Sequence, residues 1–235
     1  MNRRRKQLIK QAFAVPPPAR KADFLKQHRR RELGRREMLL IQLRYIPWWI
    51  WGASIVLCAW ILVAAAQQEG LPVWSASALT PFLASLVITE NGRSQYCQME
   101  ELELSCRVSR QSIVLARMTI LGLFHLPLLG ALAPLLAMSG GVGIVRAGVC
   151  LLTPYLLTAA LGMELTRHLR GRNALLACAA AAALVSGAGV YVGSRPVLYE
   201  AGTGSLWGTV LAVSFLIFII ECILYSRKMR ELQWN

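Results

Sequence analysis

Acidic side chains are scarce in this chain. Asp and Glu supply 12 of 235 residues, against 26 Lys and Arg. Charged residues of all kinds make up 16%, well under the roughly one quarter of a soluble domain. With 55% hydrophobic residues and a mean hydropathy of +0.46, that shortage argues against a water-soluble domain and for a chain that crosses a membrane several times. Histidine is rarer still, with three residues, and no H-E-x-x-H, G-x-S-x-G or aspartate-rich motif occurs. The familiar metalloprotease and serine-hydrolase constellations therefore lack their residues. There is no Walker A pattern either, so the chain has no P-loop with which to bind ATP. The glycine-rich run at 202–208, GTGSLWG, lacks the third glycine of a dinucleotide site and reads as a loop. The six cysteines, at 58, 97, 106, 150, 178 and 222, form no C-x-x-C pair, and four lie in apolar runs. They read as small buried thiols, with no metal site expected.

The charge that is present is unevenly placed. Residues 1–46 carry fourteen Lys/Arg and three acids, a net +11, while the other 189 residues net only +3. A basic arm serves nucleic acid or anionic lipid. This one runs directly into an apolar span, which favours anionic lipid at the inner membrane surface and no nucleic acid. No cleavable signal peptide is expected, because the basic start meets only Leu8 and Ile9 before polar residues and the Pro16–Pro18 run. Residues 3–14 read as a short basic amphipathic helix and the prolines as a stiff spacer. Residues 21–46 read as a second helix, in which Arg29–Arg31, Arg35 and Arg36 give way to Met38, Leu39, Leu40, Ile41 and Leu43. Such a helix lies in the interface plane. The alternative is an unstructured topogenic tail.

After residue 47 the chain reads as an all-α, six-span transmembrane domain. The spans are expected at about 48–66, 72–89, 111–137, 142–165, 173–193 and 205–225, each near the ~20 residues that cross the hydrocarbon core. The first opens on Trp48, Trp49 and Trp51, a composition suited to the headgroup level. With a cytoplasmic amino terminus, the inner segments 1–46, 90–110, 166–172 and 226–235 hold fourteen, three, three and three Lys/Arg. The outer segments 67–71, 138–141 and 194–204 hold zero, zero and one. Both termini are therefore expected in the cytoplasm of a cell-membrane protein. The fifth span offers a small-residue face for close packing (Ala177, Ala179–Ala183, Gly187, Gly189, Gly193). Pro127, Pro134 and Pro154 allow kinks.

One polar stretch interrupts the apolar part. Residues 90–110, ENGRSQYCQMEELELSCRVSR, hold four of the twelve acids: Glu90, Glu100, Glu101 and Glu103. Asn91-Gly92 reads as a turn after the second span. Residues 97–107 fit a short amphipathic helix with Met99, Leu102 and Cys106 on one side and Glu100, Glu101, Glu103 and Arg107 on the rest. Ser109 is positioned to cap the third span. So short a helix does not hold itself up in water and needs a surface beneath its apolar stripe.

The order of an interfacial helix, two spans with the second ending in Glu90, and a Met99-Glu100-Glu101-Leu102-Glu103-Leu104 segment followed by Val108-Ser109 resembles the permease subunit of ABC-2-type transporters. The resemblance implies an elbow helix before the first span and a coupling helix over 97–107 that docks on a separate ATP-binding subunit. It also implies a second permease chain, as homodimer or heterodimer, and transport driven by ATP and Mg on the partner subunits, with no cofactor on this chain. Its substrate would be a peptide or hydrophobic compound moving outward. Two features depart from the family: the longer basic arm, and a 194–204 segment too short for the re-entrant outer helices many members carry.

Few ionisable groups lie within the spans, and each carries a hypothesis. Arg117 and Glu164 are candidates for an inter-helix pair, or each snorkels to the interface. Glu221 is expected to pair locally with Arg227 and Lys228. His125 is the one deep ionisable group, either a hydrogen-bonded packing residue or a contact along a transport pathway. Two rival classes remain. An intramembrane enzyme finds only a distant echo in Glu100-Glu101 and Arg107. A non-transporting scaffold or immunity-type protein shares the topology.

Overall fold

A computed structural model describes residues 35–67, 73–96, 110–140, 143–169, 171–193 and 204–231. They form eight helices and, among the described residues, no strand: α1 Arg35–Tyr45, α2 Trp48–Gln67, α3 Val73–Ser77, α4 Thr80–Tyr96, α5 Arg110–Gly140, α6 Ile144–His168, α7 Gly171–Gly193 and α8 Gly204–Glu231. Helix is the form a long apolar run takes in lipid, because it satisfies every backbone N–H and C=O within the segment. Four helices are long and apolar enough to cross a membrane: Ser112–Met138, Ile144–His168, Gly171–Val192 and Gly204–Arg227. A fifth joins them if Arg36–Tyr45 and Trp48–Val63, bent by 79° to each other, count as one broken span. The chain thus has the several long apolar helices of a multi-pass membrane protein. The amino-terminal basic helix at 3–14, most of the helix expected over 21–46, and the whole of 97–109 lie outside the described residues.

α6 is the hub. It packs against α8, α4, α7, α5 and α3, and residues on most of its circumference are buried, among them Ala147, Leu151, Tyr155, Ala159, Ala160 and Met163. Between apolar helices in lipid, association rests on close van der Waals packing rather than on escape from water. Among the described glycines the tightest fit is at Gly162. A Cβ there would stand 2.8 Å from Ile88 Cγ1 and 3.1 Å from Ile88 Cγ2 of α4. The small-residue face expected on the fifth span is only partly used. Ala174, Cys178, Ala181 and Ala182 of α7 are buried, but a Cβ at Gly187 or Gly189 would meet nothing within 4 Å.

The second span differs from its expected form. It is not one helix over 72–89 but the short α3 and then α4, with Ala78 and Leu79 as a turn between them. Pro81 is the reason: it has no N–H to give a continuing helix and is tolerated in a first turn. Thr80, fully buried, covers the break by donating its hydroxyl to Ser77 O at 2.8 Å and Leu151 O at 3.1 Å. Nor does Asn91-Gly92 turn the chain; both residues are helical, and α4 runs on to Tyr96. Asn91 is buried against the bundle, and that packing overrides its local turn preference. The prolines at 127, 134 and 154 lie inside continuous helices.

Candidate functional site

Polar side chains within the bundle gather at two levels. The first is the end where α4 finishes and α5 begins. Glu90 is 3% exposed and accepts a hydrogen bond from Arg93 Nη1 at 3.2 Å, one turn along α4. Arg93 is half exposed, so the pair carries the charge of a buried carboxylate outward to the bundle's edge, where it is less costly. Beside it, Arg117 of α5 donates from Nε to Gln42 Oε1 at 3.0 Å. Gln42 is buried and belongs to α1, so this bond fastens the bent amino-terminal helix to α5.

The expected Arg117–Glu164 pair does not form. Arg117 bonds Gln42 of α1, while Glu164 on α6 is held by its own helix neighbours. Arg167 Nη2 makes a short contact with Glu164 Oε2, and His168 Nε2 lies 3.0 Å from Glu164 Oε1. Residues three and four apart on a helix already share a face, and the Glu164 carboxyl also meets that of Glu221 on α8. Glu221 meets Arg167 of α6, whose Nη1 lies 3.5 Å from Glu221 Oε2; of its expected local partners, Arg227 and Lys228, the Lys228 side chain lies outside the described residues. Arg167 therefore bridges α6 and α8.

The second level lies about 12 Å deeper, the rise of the eight residues from Arg117 to His125 along α5. His125 is 1% exposed. Its Nε2 lies 3.0 Å from Ser54 Oγ of α2 and its Nδ1 lies 3.1 Å from the Tyr155 hydroxyl of α6. The Ser54 hydroxyl also reaches Ile50 O at 2.9 Å. Both ring nitrogens are thus within hydrogen-bond reach of a hydroxyl, and either neutral tautomer satisfies the ring, one nitrogen donating and the other accepting. Aromatic rings close the site: Phe124 packs edge-on to Trp51 with centroids 4.6 Å apart, and Tyr155 stands perpendicular to His125 at 5.8 Å. The trio is a polar tie joining α2, α5 and α6.

Ser54 and Tyr155 escaped the sequence reading. The available signal was that each is a hydroxyl in an apolar span at a depth comparable with His125. Met99, Glu100, Glu101, Leu102, Glu103 and Leu104 lie outside the described residues, as do Cys97, Cys106 and Ser109. The helices on either side, α4 ending at Tyr96 and α5 starting at Arg110, pack against each other. Among the described residues, no group of three or more His, Cys, Asp or Glu is placed to hold a metal ion. Cys58, Cys150 and Cys178 are buried free thiols, and Cys222 is partly buried. No family model, curated protein or solved structure matches the chain.

Proposed function

We propose that the chain is the permease subunit of an ABC-2-type exporter, with six membrane passages and both termini in the cytoplasm. The observation that carries this reading is the joint between α1 and α2. α1 lies bent by 79° from α2 and is fastened through Gln42 to Arg117, seven residues into the helix that follows the acidic 97–107 segment. α1 exposes Leu40, Ile41, Leu43 and Tyr45 around more than half of its circumference, and the adjoining Trp48 and Trp49 are 84% and 50% exposed. A helix at that angle to a span, with apolar and tryptophan side chains outward, suits the headgroup layer. It supports an elbow helix on the same membrane face as the segment between α4 and α5. In this reading α3 and α4 together make the second passage. The 97–107 segment is the coupling helix, and ATP and Mg bind a separate subunit that docks on it. A second permease chain completes the pathway, and the basic arm rests on anionic lipid.

Charge reversal at Glu100, Glu101 and Glu103 tests the docking assignment. The triple Lys variant is expected to insert and accumulate normally but to abolish stimulation of the partner's ATPase. Full stimulation by the triple variant would remove this segment from the docking role.

A further inference from the structure

We draw no further inference here: the strongest candidate, the side-chain cluster where Glu164 and Arg167 of α6 meet Glu221 of α8, is an acidic pair held by its own arginine, and nothing else among the described residues points to a ligand there.

Discussion

Removing the Tyr155 hydroxyl isolates one bond of the buried trio, and its cost depends on what stands at position 125. In Tyr155→Phe, His125 loses the hydrogen-bond partner of Nδ1 at 3.1 Å. Neither tautomer gives relief, because Nδ1 faces a phenyl edge whether or not it carries the ring proton. An unsatisfied buried polar group costs about 1–3 kcal/mol. Hydrogen bonds between membrane helices average only ~0.6 and reach ~1.7 kcal/mol, so the expected loss is about 1–2 kcal/mol. At ~2–4 °C per kcal/mol for a chain of this size, Tm falls by roughly 2–8 °C. His125→Leu keeps similar volume but strands the tyrosine hydroxyl and carries its own penalty. Replacing both partners by apolar groups of like shape is close to neutral. Tyr155→Phe introduced into His125→Leu should therefore cost nothing or stabilise the protein. Thermal unfolding of all four variants in one detergent measures the coupling. An equal cost for Tyr155→Phe in both backgrounds would refute the hydrogen bond, and with it the assignment of the trio as a tie between α2, α5 and α6.

Two further substitutions probe the bundle. Gly162→Ala places a methyl against Ile88, itself buried on α4, and overpacking of that kind costs about 1–3 kcal/mol. Ile88→Ala in the same chain should recover part of the loss, seen as a partial return of Tm. Arg167→Met removes the cation between Glu164 and Glu221 and leaves two carboxylates facing across α6 and α8. Breaking a buried pair costs about 3–5 kcal/mol. With Glu164 38% exposed, about 1–3 kcal/mol is expected here, and Glu221→Gln should relieve part of it.

The spans after residue 110 were legible in the sequence because their information is compositional. Expected bounds of 111–137, 142–165, 173–193 and 205–225 lie within a few residues of α5 to α8, since a bilayer asks only for length and apolarity. What failed depended on packing. Asn91-Gly92 is a turn signal by local preference, but Asn91 is buried and α4 continues past it. Pro81 read as a residue inside a span, and whether it kinks or breaks the helix depended on Thr80 reaching Leu151 across to α6. Arg117 and Glu164 share a level but face different neighbours, and the facing of a side chain is a property of tertiary packing. His125 could be singled out as the one deep ionisable residue, yet its partners Ser54 and Tyr155 are 71 and 30 positions away with no local spacing to link them. Nothing in the sequence marks Gly162 above the glycines at the end of the fifth span. Close approach depends on which helix face meets which, and α7 turns those glycines to open space.

As proposed, a separate ATP-binding subunit drives this chain. Purifying the tagged full chain from its native membrane in mild detergent, identifying the proteins bound to it and assaying ATPase activity in reconstituted vesicles tests this. The expected result is a soluble subunit with Walker A and signature motifs in stoichiometric amount, with ATPase activity that rises when the permease chain is present. A homogeneous preparation of this chain alone, active without any ATP-binding partner, would overturn the proposal.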